Sequence, residues 1–212
     1  MGSLLALASS LLWGTADYLA GNLSKRFKAI AVTAISQIFG LIFGLLVILF
    51  FADFIRPNLS MSGYFIPGVI AGIAGFIGLI AFYTGLATGR MGVVSPISSL
   101  SVLIPLFFAL ARGERPTSLE LIGISIAITG AFMASGPEIR NGLPIKPLLL
   151  AVVAAIGFGT ALTFIAIGSE TDSLHTMTSM RVASVSICIL LAIRYRSLGG
   201  IPVRDVAGLQ PV

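Results

Sequence analysis

Long apolar runs separated by short polar turns make up this chain, and no other feature limits its fold as much. Between Leu79 and Ser135, two such runs, Val93–Ala111 and Leu119–Ser135, flank the charged turn Arg112-Gly113-Glu114-Arg115-Pro116. A third run leads in and ends at Gly89-Arg90. At a helical rise of 1.5 Å per residue, each run is long enough to cross a hydrocarbon core of ~30 Å. The turn leaves room only for an antiparallel reversal at a membrane surface. The stretch therefore predicts membrane-spanning helices, and the rest of the chain repeats the pattern.

Composition agrees. The chain is 57% hydrophobic and 10% charged, with a mean hydropathy of +1.05. A soluble domain carries about 25% charged residues. The expected fold class is all-α, a polytopic transmembrane helical bundle. The net charge of +5 does not point to nucleic acid, because the basic residues sit between apolar runs, where they orient helices and meet lipid headgroups. A single cysteine, Cys188, and a single histidine, His175, exclude an internal disulfide and leave no His-based metal or catalytic constellation. No metal, cofactor or enzyme chemistry is expected, and no G-x-x-x-x-G-K-[ST] loop for ATP is present.

Seven spans are predicted: Ser3–Gly21, Ala29–Ala52, Tyr64–Thr88, Gly92–Ala111, Ser118–Ser135, Lys146–Gly168 and Leu174–Tyr195. Gly136–Ile145, with two prolines, reads as a linker, and the tail from Ser197 has no span of its own. The first and sixth spans resemble each other at an offset of 145: Trp13-Gly14-Thr15-Ala16 faces Phe158-Gly159-Thr160-Ala161, and Leu4-Leu5-Ala6 faces Leu149-Leu150-Ala151. Five helices separate the two starts, an odd number, so the second copy enters the membrane from the opposite side. That is the inverted repeat of many secondary transporters, which place substrate near the midplane.

Several short pieces in order carry a further likeness. Leu12-Trp13-Gly14 opens it, followed by Ala81-Phe82-Tyr83 with Gly85, Ser95-Pro96 and Pro105-Leu106, then Gly113-Glu114-Arg115, Leu121-Ile122-Gly123 and Gly130. Together they resemble an EamA-type transporter of the drug/metabolite transporter superfamily. The resemblance implies one complete five-helix repeat over 1–136, a linker at 137–145 and a partial second repeat over 146–212. It also implies an integral protein of the cell membrane that exports small metabolites, such as amino acid derivatives or amphipathic compounds, by alternating access, coupled to protons or exchange. The alternative reading is a non-transporting, truncated membrane protein or assembly subunit. Orientation is contested: nine basic residues against three put the N-terminus outside by the positive-inside rule, whereas the resemblance implies a cytoplasmic N-terminus.

Polar residues in a lipid-spanning helix must face protein or water, so their stripes mark the interior. In the first span Ser10, Gly14, Asp17 and Gly21 share a face, with Trp13 beside them. Asp17 is the one acid well inside a span, suited to proton coupling or to a cationic substrate; the bland reading is an interfacial aspartate reaching water. In the second span Thr33, Ser36, Gln37, Gly40 and Gly44 share a face, and Gln37 bonds either substrate or, the favoured reading, a neighbouring helix. The third span is glycine-rich, with Gly68/Gly72 and Gly85/Gly89 as GxxxG pairs for packing or for a homodimer. Tyr83 lines a cavity or anchors at the interface. In the fourth span Ser95, Ser98 and Ser99 form a hydroxyl face, and Pro105 frees the carbonyl of Ser101 and kinks the helix. The small face Gly123, Ala127, Gly130 and Ala134 reads as packing. Thr160 lines part of the sixth span. In the seventh, Arg181 keeps its charge and needs a carboxylate, water or an anionic substrate; pairing with Asp17 is one solution.

Overall fold

The computed structural model describes residues 2–88, 91–139, 145–195, 197–198 and 201–202. The elements are α1 (Gly2–Leu23), α2 (Ala29–Phe51), α3 (Phe65–Ala87), α4 (Met91–Ser99), α5 (Leu103–Ala111), α6 (Ser118–Ile139), α7 (Ile145–Ser169) and α8 (Ser173–Tyr195). A small antiparallel hairpin pairs Ser197–Leu198 with Ile201–Pro202. A 3-10 turn, Leu100–Val102, joins α4 to α5 in one rod, so seven rods stand where seven spans are predicted. Five of them are long and apolar enough to cross a membrane. Of the other two, α1 is diluted by Ser9, Ser10, Thr15 and Asp17, and in α6 the described apolar stretch is Ser118–Ala131.

The bundle is organised around α3, which packs chiefly on α7 and α8 and also touches α1, α2 and α4. Its glycines permit this. A methyl group at Gly72 would strike the Met180 carbonyl and lie 2.7 Å from the Ala183 methyl of α8, and one at Gly68 would lie 2.7 Å from the Thr176 carbonyl. On the α7 side Gly78 meets Phe158 and Gly157, and a methyl at Gly157 would lie 2.7 Å from the Ala74 carbonyl. The Gly68/Gly72 pair therefore packs helices within the chain; Gly89 of the second pair lies outside the described residues. Where the α3, α4 and α7 backbones meet, Ala29, Val32, Ala81, Phe82, Tyr83, Leu86, Val94, Ala151 and Ala154 form the core. Long side chains such as Phe39, Phe43, Leu49 and Phe50 point outward, as suits a surface solvated by acyl chains.

The irregularity expected near Pro105 is found one turn earlier. Proline has no N–H to give the Ser101 carbonyl, the helix tightens to 3-10 geometry at Leu100–Val102, and that carbonyl lies against Gly159 of α7. The small face of α6 departs from expectation. Gly123 and Gly130 have nothing within 4 Å of where a methyl would sit, and Ala127 is exposed. Helical spacing gathers small residues on one face, but it does not supply a partner for that face.

Three connections meet at one end of the bundle: the α2–α3 loop, the α5–α6 turn and the α7–α8 turn. Asp172 caps α8, accepting the His175 backbone N–H at 2.8 Å and facing His175 Nδ1 at 2.7 Å. The other ring nitrogen, Nε2, accepts the Ile55 N–H at 3.3 Å, so the proton sits on Nδ1. Tyr64 covers the ring and donates to the Ile55 carbonyl at 2.7 Å. Thr171 donates to the Ser62 carbonyl at 3.0 Å, and Arg112 pairs loosely with Glu170 at 3.7 Å. His175 is thus a buried strut in the first turn of α8.

Two sets of variants test this packing. Gly72→Leu should destabilise the protein in detergent by at least about 2 kcal/mol, because the α3–α8 backbones must part, while Gly123→Ala should change it by less than about 0.5 kcal/mol. Equal effects in thermal unfolding would contradict the glycine contact. The His175 N–H, then its imidazole, hold the Asp172 carboxyl below the usual carboxylate range. A depressed folded pKa gives a contribution that is complete above about pH 4 and lost as the pH falls further. Asp172→Ala should cost about 1 kcal/mol at pH 7 and remove that acid-side dependence.

Candidate functional site

The polar groups of the spans meet as two pairs around α3. In the first, the Tyr83 hydroxyl of α3 donates to Asp17 Oδ1 of α1 at 3.1 Å. Tyr83 is buried and Asp17 half-buried, so Tyr83 belongs to the interior and not to an interfacial belt. In the second, Arg181 Nη1 of α8 donates to Gln37 Oε1 of α2 at 2.6 Å. Gln37 is 2% exposed. It bonds a neighbouring helix, as the favoured sequence reading holds.

Local sequence explains the second pair. Gln37 and Gly40 are three residues apart and share a face of α2. A methyl at Gly40 would lie 3.0 Å from Arg181 Nε and 3.3 Å from its Cδ, so the glycine is the seat of the arginine side chain. One turn before Gln37, the hydroxyl of Thr33 is wholly buried and has no hydrogen-bond partner among the described residues. Gly40 and Thr33 were visible as members of the same face; what spacing alone does not reveal is that one seats a cation and the other holds an unspent hydroxyl.

Asp17 and Arg181 are not an ion pair. No contact within 4.0 Å joins them among the described salt bridges, and each has a neutral partner instead. Tyr83 lies within electrostatic range of both. Along the helices, Asp17 and Tyr83 sit near the end where α1 and α3 finish. Arg181 and Gln37 lie each eight residues past the first residue of its helix, ~12 Å in.

The other expected pathway residues do not join this group. Trp13 is 57% exposed on α1. Ser95 and Ser99 are exposed, with Ser99 donating to its own Pro96 carbonyl at 2.6 Å. Ser98 is buried but donates to the Val94 carbonyl at 2.7 Å and approaches the Ala151 carbonyl at 3.5 Å, so it ties α4 to α7. Thr160 is half-buried on α7. A wide apolar cleft of about 510 Å³, lined by Ile73, Phe76, Ile80, Leu150, Ile187 and Leu191 among others, lies between α3, α7 and α8.

The profile of the EamA-like transporter family matches residues 1–136, which takes in α1 to α5 and nearly all of α6. Asp17, Thr33, Gln37, Gly40 and Tyr83 fall inside that match and Arg181 outside it. No curated protein and no solved structure matches the chain.

The second pair makes a sharp prediction. Gln37→Leu removes the one acceptor that the described residues give a membrane-embedded cation and should cost about 2 kcal/mol. Gln37→Glu keeps an acceptor and adds the missing charge, so it should unfold no earlier than the parent. Thermal unfolding in neutral detergent checks both, and equal loss in the two variants would show that Gln37 matters only through its shape.

Proposed function

The chain belongs to the EamA-like transporter family, and on that premise we propose that it carries a small polar metabolite across the membrane by alternating access. The observation that supports the reading is that polar groups of α1, α2, α3 and α8 pair across helices within an apolar bundle, Asp17 with Tyr83 and Gln37 with Arg181. Burying such groups in lipid is costly, and in transporters they mark substrate and ion pathways. The polar path runs from Asp17 and Tyr83 at one end of the helices to Gln37 and Arg181 deeper in. The 3-10 turn between α4 and α5 is a point where that rod can change its bend, since Pro105 has no N–H to complete the α-helical bond to the Ser101 carbonyl.

Coupling to protons falls to Asp17, the carboxylate within the spans. Its tie to Tyr83 is made when Asp17 is ionised, because the phenol donates and the carboxylate accepts. Protonation weakens that bond and loosens α1 from α3. The direction is export from the cell across its membrane, and α7 with α8 begins a second, inverted copy of the first repeat.

Vesicles containing the protein, with an imposed proton gradient, test the reading against labelled amino acids, carboxylates and cationic dyes. At least one compound should accumulate in a gradient-dependent way. Asp17→Asn should lower that flux by about tenfold or more, and Tyr83→Phe by severalfold, without loss of folded protein. Flux unchanged in Asp17→Asn removes the proton role, and no gradient-dependent flux for any compound removes the transport reading.

A further inference from the structure

We propose that Arg181, Gln37 and Thr33 form a binding site for a carboxylate group, and that the transported compound carries one. The word "transported" rests on the function proposed above; the binding site itself does not.

The inference follows from counting donors. A guanidinium has five N–H donors, no acceptor and a permanent charge. One donor of Arg181 goes to Gln37 Oε1, and no other described residue accepts from it. Because the guanidinium only donates, Gln37 must turn its oxygen toward Arg181, which leaves the amide NH2 as its unspent end. The Thr33 hydroxyl, one turn away on the same face of α2, is also unspent, ~5–6 Å along the helix. Arginine, amide and hydroxyl thus each have a donor to offer, with one positive charge among them.

Among the described residues no acid supplies the missing anion. The sequence has eight acidic residues. Asp17 takes the Tyr83 hydroxyl and makes no ion pair with Arg181. Asp53, Glu114, Glu170 and Asp172 lie in connections, Glu120 and Glu138 lie at the ends of α6, and Asp205 lies outside the described residues. Arg181 sits ~12 Å along α8, too deep for a lipid headgroup. A single cation in low-dielectric surroundings is neutralised by a monoanion, whereas a dianion would leave net charge behind. The planar guanidinium matches a carboxylate in both charge and shape. Gly40 contributes by leaving space for the arginine stem, which keeps the fork of N–H groups beside Gln37.

Isothermal titration of the full chain in neutral detergent tests this, with benzoate as the probe, benzamide as its uncharged counterpart and sulfate as the dianion. Benzoate should bind saturably, and benzamide at least about tenfold more weakly. Gln37→Glu should abolish benzoate binding while keeping the fold, since it neutralises Arg181 from within. Arg181→Gln should also abolish it, and Thr33→Val should weaken it about three- to tenfold. Gly40→Leu, which keeps every charge and donor, should weaken it through displacement of the arginine. Thr129→Val, on the exposed face of α6, should leave it unchanged.

No benzoate binding to the parent chain, equal binding of benzamide, or undiminished binding to Gln37→Glu overturns the proposal. Tighter binding of sulfate than benzoate overturns the choice of a monoanion. Unfolding midpoints without ligand, measured for every variant, separate lost binding from lost structure. Binding without flux in vesicles would sink the transport reading and leave the site standing; flux without carboxylate binding would do the reverse.

Discussion

Helices in lipid gain little from hiding apolar surface from one another, because the surrounding acyl chains are equally apolar. What holds this bundle is close backbone approach, and α3 is where it happens. Gly68 and Gly72 admit the α8 backbone, Gly78 and Gly157 bring α3 against α7, and the Ser184 hydroxyl of α8 donates to the Gly72 carbonyl at 3.1 Å. The polar groups inherit their positions from this contact. Tyr83 rides on α3 and Arg181 on α8, so the spacing of those two backbones sets the distance between the phenol and the guanidinium.

The distribution of charge within the spans follows a related economy. A buried cation and a buried anion in one protein would ordinarily satisfy each other, yet here each is held by a neutral group on a different helix. Neutral partners orient a charge without cancelling it. Asp17 and Arg181 therefore keep their fields. A direct ion pair would have fastened α1 to α8 and left nothing for a ligand to do.

Much of the fold was legible because lipid allows few solutions: apolar runs of this length must be helices, and seven runs give seven rods. Pro105 also announced its effect, since a missing N–H has a defined victim, the Ser101 carbonyl. The site was legible as a set of faces. Asp17, Gln37, Tyr83 and Arg181 could be picked out because polar groups in lipid need company. Their pairing could not, because helical periodicity fixes which residues share a face but not the rotation of one helix against another. The serines of α4 show the limit: Ser95, Ser98 and Ser99 looked like a lining, but two are exposed and the third ties α4 to α7. The bare small face of α6 teaches the same lesson from the packing side.

The struts between connections bear on how such a bundle can deform. Among the described residues, bonds between separate connections lie at one end, where His175 receives Ile55, Thr171 reaches Ser62 and Arg112 nears Glu170. A tilt of one rod about that end by about 5° moves its other end by roughly 2.6 Å over a rod of ~30 Å. The Asp17–Tyr83 bond lies toward that other end, where such a tilt changes a contact most.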